Sequence, residues 1–454
     1  MHRTNFARIM LCVAMLAFFI AGCQSPASSG GSKGSEQAKA EPAAAENKQG
    51  DVLKLLIPSF NNETEKRQWD NVVKKFEEMN PGVKIDLATG DTNTESGKLT
   101  TMLQSGVTPP DAILMNAGPG RVRILSDVDL IKPLNDWYMQ NGWKDKLRPF
   151  AYDLISGNDN LYELPHTMDA VSVYYNKDLF EQNGIGVPTT AGEFLNAMKK
   201  LHDNNITPII VGGRTPITVG TLFSLILQSS AGKEAVAKLI YSEAKWNDPQ
   251  YVKAAETMSD WANQGYIGKE SVSLNLTDAK FAMLNKKAGM FISTTHIISD
   301  VVDQKLEGSI GSFTIPSLTD ASKTNPTGGL GYTWVVPAKT TQTELVEKWM
   351  NYIVSEEYAK VVLGDPSYNL IPASKAAMGI KPAGSQLAEA MSSIAQESGY
   401  NPSVFIGSEA KQAYYQNLTG LIGGLVKPKD AMDNIAAAAA KDEAAGYKLS
   451  RKSN

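Results

Sequence analysis

An α/β fold built on a parallel sheet is predicted by three observations. Residues 51 to 115 alternate short apolar strands with amphipathic segments in the order β-α-β-α-β, the pattern of a parallel sheet covered by helices. The same rhythm resumes near residue 190, without any period of twenty to fifty residues that would make a solenoid. And 454 residues, 42% hydrophobic and 20% charged, suffice for two or more cores, so the body should be multi-lobed.

The elements follow in order. Val52 to Pro58 (VLKLLIP) reads as the first strand. Asn62 is placed to cap a helix, with Glu65 three positions on, and Trp69, Val72, Val73, Phe76 and Met79 recur at helical spacing until Asn80, Pro81 and Gly82 stop it. A strand from Val83 to Leu87, a helix carrying Leu99, Met102 and Leu103, and an apolar strand from Ala112 to Met115 complete the opening unit. Farther on, the chain reads as a helix over 191 to 204, a strand TPIIVGG from Thr207, an apolar helix over 219 to 229 and a helix over 251 to 264. FAMLNKKAGMFIS is a helix feeding a strand, GGLGYTWVVP is another strand, and the last third is mostly helix.

One run poses a chemical question. From Leu164 to Tyr174 the residues alternate like a half-buried strand, yet Asp169 sits among apolar neighbours. A carboxylate there is costly unless it faces water, a partner or a ligand.

The N-terminus reads as an address. His2, Arg3 and Arg8 precede a twelve-residue apolar stretch, Ile9 to Ile20, too short to span a membrane comfortably. Ala21 and Gly22 stand before Cys23, and IAGC fits a bacterial lipoprotein cleavage box, giving a signal peptide over 1–22 and lipidation, a palmitate-type anchor, at Cys23. Cys12 lies inside the signal, so neither a disulfide nor a cysteine metal site is expected. Residues 24 to 50 lack Val, Leu, Ile, Phe, Tyr, Trp and Met, and read as a flexible tether about 30 Å from end to end. The body is thus expected at the outer face of the cytoplasmic membrane, on a Gram-positive cell surface, held by its lipid.

Without residues 1–22 the chain carries 42 basic and 48 acidic groups, a net of −6, which argues against a nucleic-acid partner. No GxSxG, HExxH, P-loop or GxGxxG occurs, and the four histidines are His2, His166, His202 and His296. No catalytic set, metal cluster or cofactor is expected, although two carboxylates about 5 to 9 Å apart would suffice for glycoside hydrolysis, so that chemistry stays open. In open α/β sheets ligands sit beyond the carboxyl ends of the strands. Here those loops are SFNN (59–62), NAGPG (116–120), GGRT (212–215) and STTH (293–296), rich in hydroxyls and amides. These groups suit a carbohydrate, with Phe60, Tyr332, Trp334 and Tyr368 available to stack on sugar faces.

The order of several motifs resembles a known family. After the lipobox come WDNVVKKFEEMNPGVKI (Trp69 to Ile85), PPD (Pro109 to Asp111), LYELP ahead of VYYNKDLF (Leu161 to Phe180) and FAMLNKKAGM (Phe281 to Met290). Together they are similar to the family 1 extracellular solute-binding proteins, the sugar-binding lipoproteins of ABC importers related to maltose-binding protein. The resemblance implies a two-lobed periplasmic-binding-protein-like fold of type II, its lobes joined by crossing hinge strands that let them close over a solute. The crossings would be Leu164 to Tyr174 and GGLGYTWVV, with lobes at 51–168 plus 330–378 and 169–329 plus 379–454. Asp169 would accept hydrogen bonds from sugar hydroxyls in the cleft. Asn61 and Asn62 match the loop after the first strand, Arg214 lies near the ligand loop of the second lobe, and His296 stands where relatives often place a stacking tryptophan. His296 departs from that pattern, as does the stretch around Asn116, where maltose-type members carry an aromatic and an acid, so the resemblance does not single out maltose, and a different glycan such as a plant or host oligosaccharide fits as well.

The expected function is therefore a monomeric, non-enzymatic substrate-capture protein that delivers a carbohydrate, an oligosaccharide by preference, to the membrane permease subunits of an ABC importer. The same architecture would serve a polyamine or peptide binder, and a surface glycosidase or lyase is the reading of another class.

Overall fold

Asn62 does start a helix. Its backbone is extended and its side-chain oxygen accepts from the Glu65 N–H at 2.9 Å, opening the helix Glu63–Met79. The Glu65 carboxylate reaches back one residue beyond the cap, to the Asn61 N–H at 2.9 Å, which rigidifies the loop rather than closing a standard capping box. The structure, a computed structural model, describes residues 51–105, 109–156, 160–319, 326–395 and 398–451. The signal, lipidation and tether readings at 1–50 lie outside them. No helix among the described residues is long and apolar enough to cross a membrane.

Two sheets organise the fold. Among the described residues the strands are, in chain order, β1 (Asp51–Pro58), β2 (Val83–Gly90), β3 (Ala112–Asn116), β4 (Leu164–Pro165), β5 (Thr167–Asn176), β6 (Thr207–Ile210), β7 (Ala288–Ser293), β8 (Ile310–Phe313), β9 (Thr327–Leu330), β10 (Tyr332–Val335) and β11 (Ile371–Pro372). The first sheet has the order β2-β1-β3-β10-β4. In it β1 pairs in parallel with β2, Asp51 opposite Val83, and with β3, as the opening rhythm predicts, while β10 inserts antiparallel between β3 and β4. The second sheet runs β11-β5-β7-β6, with β8 and β9 also pairing with β5.

The alternating run from Leu164 is two strands, not one. β4 lies in the first sheet and β5 in the second, and the chain changes sheets at His166. The GGLGYTWVVP strand divides in the same way, β9 pairing with β5 and β10 with β3, with the change at Gly331. The crossings are themselves paired, since the His166 N–H donates to the Tyr332 carbonyl and the Gly331 N–H to the Thr167 carbonyl, each at 2.9 Å. The predicted half-solvated face of this run is also absent. β5 is covered on both sides, and among its ten residues Asp169 alone is half-buried.

Packing supports both sheets. Helix Glu63–Met79 lays Val72 and Phe76 on the first, where Phe76 meets Trp349 edge-on at 5.1 Å. Helix Pro216–Ala231, expected to be apolar, is buried continuously from Thr218 to Ser229, which is why it shows no amphipathic stripe. The C-terminal helices Ser408–Ile422 and Pro428–Ala444 pack on each other, and the first of them also packs on Pro216–Ala231.

Candidate functional site

Polar chain ends converge where the sheets meet. A cavity of ≈ 260 Å³ is lined from the first sheet by Asn61, Asn116, Gly331 and Tyr332, and from the second by Asp169, Thr218, Thr221, Ser293 and His296, with Lys280 and Asp300 also lining it. Asn61 comes from the loop after β1 and Asn116 from the end of β3, the carboxyl ends where an α/β sheet places ligands. The Thr218 and Thr221 hydroxyls donate to the carbonyls of Gly212 and Ile217 at 2.7 and 2.8 Å. Their lone pairs remain for a donor in the cavity.

Asp169 answers the question its sequence raised. Among the described residues its carboxylate has no hydrogen-bond or ion-pair partner, and it lines the cavity. Burial pushes its carboxyl up to about 7, with the Arg121 guanidinium opposing that rise. Gly331 makes room for it, because a Cβ on Gly331 would lie 2.8 Å from Asp169 Oδ1 and 2.5 Å from Thr167 Oγ1. Lys280 is held by Asp300 at 2.5 Å, both largely buried, so this lysine is neutralised in place. Burial holds the His296 imidazole below its ordinary range, with Glu65 pulling the other way, and its ring meets Tyr332 edge-on at 5.6 Å.

A narrower chamber of ≈ 50 Å³ adjoins the cavity and shares Asn61, His296 and Tyr332 with it. Phe60, Trp69 and Tyr368 form its aromatic walls.

Of the ten ligand residues expected from sequence, Asp169, Asn61, Asn116, His296 and Tyr332 line the cavity, and Phe60 and Tyr368 the chamber beside it. Three do not converge there. Trp334 is wholly buried, its indole N–H donating to His166 Nδ1 at 3.2 Å, so it has no face left for a ligand. Asn62 uses its side chain as the helix cap and toward Ser299 Oγ at 3.4 Å. Arg214 is exposed on its loop and borders neither space, its backbone N–H bonding the Leu274 carbonyl instead. The sequence reading also missed residues. Thr218 and Thr221 were hidden in an apolar helix, although Pro216 at its start marks an N-terminus aimed at the site. Lys280 and Asp300 are twenty residues apart and carried no local signal.

Comparison with known proteins places these features in a wider set. The family described as bacterial extracellular solute-binding protein matches residues 61–360. An uncharacterised ABC transporter extracellular-binding protein of Pyrococcus horikoshii is 23% identical over 376 residues, 81% of this chain and 82% of its own length. The multiple sugar-binding protein of Streptococcus mutans is 22% identical over 320 residues, 66% of this chain and 71% of its own. A solved chitin oligosaccharide binding protein superposes with a TM-score of 0.75 at 22% identity, covering 87% of this chain and all of its own. That likeness gives the two-lobed fold.

Proposed function

Because the chain belongs to the bacterial extracellular solute-binding protein family, we propose that it captures a carbohydrate, preferably an oligosaccharide, between its two sheets and delivers it to the permease of an ABC importer. The carrying observation is Asp169, an unpartnered carboxylate facing a cavity whose lining also brings together the hydroxyls of Thr218, Thr221 and Ser293 and the amides of Asn61 and Asn116. A carboxylate that accepts from ligand hydroxyls forms charge-assisted bonds, while Thr218, Thr221 and Asn116 add neutral acceptors and donors. The relatives named for sugars, in Streptococcus mutans and in the chitin oligosaccharide receptor, support this class of ligand.

In this reading the expected lobes, 51–168 plus 330–378 and 169–329 plus 379–454, are adjusted to the sheet changes at His166 and Gly331, with Ile371–Pro372 on the second sheet, and they rotate about those crossings. Ligand contacts made by both sheets favour the closed form, which the permease then recognises. The protein acts as a monomer without catalysis, tethered by lipidated Cys23 to the outer face of the cytoplasmic membrane. The test is mass spectrometry of solute released from natively purified protein, followed by calorimetry with a glycan panel and small-angle scattering. A bound glycan and a radius of gyration that shrinks on its addition are expected. A polyamine or peptide in the released fraction, or cleavage of the glycan on long incubation, would overturn the reading.

A further inference from the structure

Behind the narrow chamber, whose lining includes Tyr358 and Tyr368, lies a hydrogen bond whose direction the protein has fixed. Trp334 Nε1–H, which can only donate, points at His166 Nδ1. Burial keeps the His166 imidazole down at about 3, so the ring is neutral and its single proton sits on Nε2. That proton goes to the Tyr358 hydroxyl at 3.1 Å, which frees Tyr358 to donate in turn to the Tyr368 hydroxyl, also at 3.1 Å. Tyr368 is left as a donor, and its proton has no acceptor among the described residues. One indole at the root of the relay thus favours one polarity at a hydroxyl three hydrogen bonds away.

Three side-chain amides of this wall already have acceptors for their NH2 groups. The Asn61 side-chain NH2 donates to Glu65 at 3.0 Å, Gln68 to Ser367 at 3.1 Å, and Asn369 to Ser299 at 3.1 Å. At the rim, where chamber and cavity join, the Asn61 side-chain carbonyl keeps its lone pairs. The space, ≈ 50 Å³, would hold roughly three to five waters at 10 to 15 Å³ each, too little for a sugar ring but enough for a substituent of a few heavy atoms. Phe60 and Trp69 supply apolar walls.

We infer that this chamber is a subsite for a small uncharged substituent of the bound sugar that offers an acceptor to Tyr368 and a donor to Asn61, an acetamido group. Its carbonyl would take the Tyr368 proton, its N–H would face the Asn61 oxygen, and its methyl would lie against Phe60 and Trp69. An ammonium has no acceptor for Tyr368, and a carboxylate would be desolvated beside Glu65. A hydroxyl satisfies the donor but leaves the apolar walls uncovered. The inference rests on the carbohydrate reading above and adds a selection at one sugar position.

Three β-1,4-linked disaccharides that differ at C2 make the test: diacetylated chitobiose, fully deacetylated chitobiose and cellobiose, titrated by calorimetry against wild type and Tyr368→Phe. The acetylated sugar should bind wild type at least tenfold more tightly than the other two, and Tyr368→Phe should erase most of that margin with its melting temperature checked alongside. Equal affinities, or a preference for hydroxyl or ammonium, would overturn the subsite. So would failure of the acetylated sugar where another glycan of the panel binds, which leaves the carbohydrate reading standing. The polarity is read separately, without ligand, from the ¹⁵N shifts of His166 in the wild-type protein. A neutral ring protonated on Nε2 between pH 5 and 8 is expected, and an Nδ1–H tautomer or an imidazolium would overturn the fixed donor.

Discussion

The Lys411 ammonium lies 3.1 Å from the Glu95 carboxylate, and the two come from different layers of the fold. Glu95 belongs to a short turn ahead of β3, on the first sheet's side, and Lys411 to helix Ser408–Ile422, packed in the second sheet's layer. Arg121 joins them, its Nε 3.2 Å from the same oxygen. Both cations are nearly inaccessible, and burial brings the Lys411 ammonium down to about 8. Close by, Gly118, at φ +109°, lets the loop after β3 approach so near that a Cβ would stand 2.3 Å from Val404 Cγ1. The two layers are therefore in contact away from the cavity as well as around it.

Glu95→Gln should leave two buried cations without their carboxylate. Breaking a buried pair costs about 3 to 5 kcal/mol, and because the Glu95 side chain stays about a third exposed the loss here should be about 2 to 3 kcal/mol. Urea unfolding would measure it. Scattering of the unliganded variant should show a larger radius of gyration if this contact holds the layers together.

Asp169→Asn keeps the shape and one acceptor oxygen. Losing charge-assisted bonds to sugar hydroxyls costs about 1.5 to 3 kcal/mol, roughly ten- to a hundredfold in affinity, read by calorimetry with the identified sugar. The apo protein should respond oppositely. A carboxyl raised to about 7 from an ordinary 3.8 gives stability that is present below pH 3.8 and lost as pH rises through 7. The variant should therefore melt higher than wild type at pH 8 and level with it at pH 4, and equal melting at both would count against a desolvated Asp169.

Gly331→Ala tests the room made for that carboxylate. With a Cβ 2.5 Å from Thr167 Oγ1 and 2.8 Å from Asp169 Oδ1, the crossing must shift, at about 1 to 3 kcal/mol of stability. Affinity should fall with it. A variant of unchanged stability and binding would show that the crossing yields freely.

His166 should make the protein acid-sensitive. Its imidazole titrates near 6.5 when unfolded and about 3 when folded, so the stability it contributes is complete above pH 6.5 and is lost as pH falls toward 3. Between pH 7 and 4.5 this amounts to about 2 to 3 kcal/mol. Comparison of wild type with His166→Gln by urea unfolding at the two pH values isolates it, since the variant should lose less on acidification.

Cys23→Ser should release the protein from the membrane fraction while sugar affinity of the soluble body stays unchanged. Cell fractionation with immunoblotting checks this, and equal retention of the variant would remove the lipid anchor.

Much of the opening architecture was determined locally. The β1–helix–β2 unit was legible because strand alternation, the Asn62 cap and the Asn80-Pro81-Gly82 stop act within a few residues of one another. So was the suspicion attached to Asp169, since a charged side chain inside an apolar run is costly wherever the chain goes. Which aromatic meets the cavity was not legible. Trp334 and Tyr332 are two residues apart on one strand and share its parity, yet Trp334 is sealed against His166 while Tyr332, at the sheet's end, reaches the cavity. Nor could the sequence show that one alternating run from Leu164 would break into two sheets at His166, because the partners that divide it, Tyr332 and Ala373, come from some 165 to 210 residues later. Strand breaks, the Lys280–Asp300 pair and the polarity of the Tyr368 hydroxyl depend on groups brought together only by long-range packing, and no local propensity encodes them.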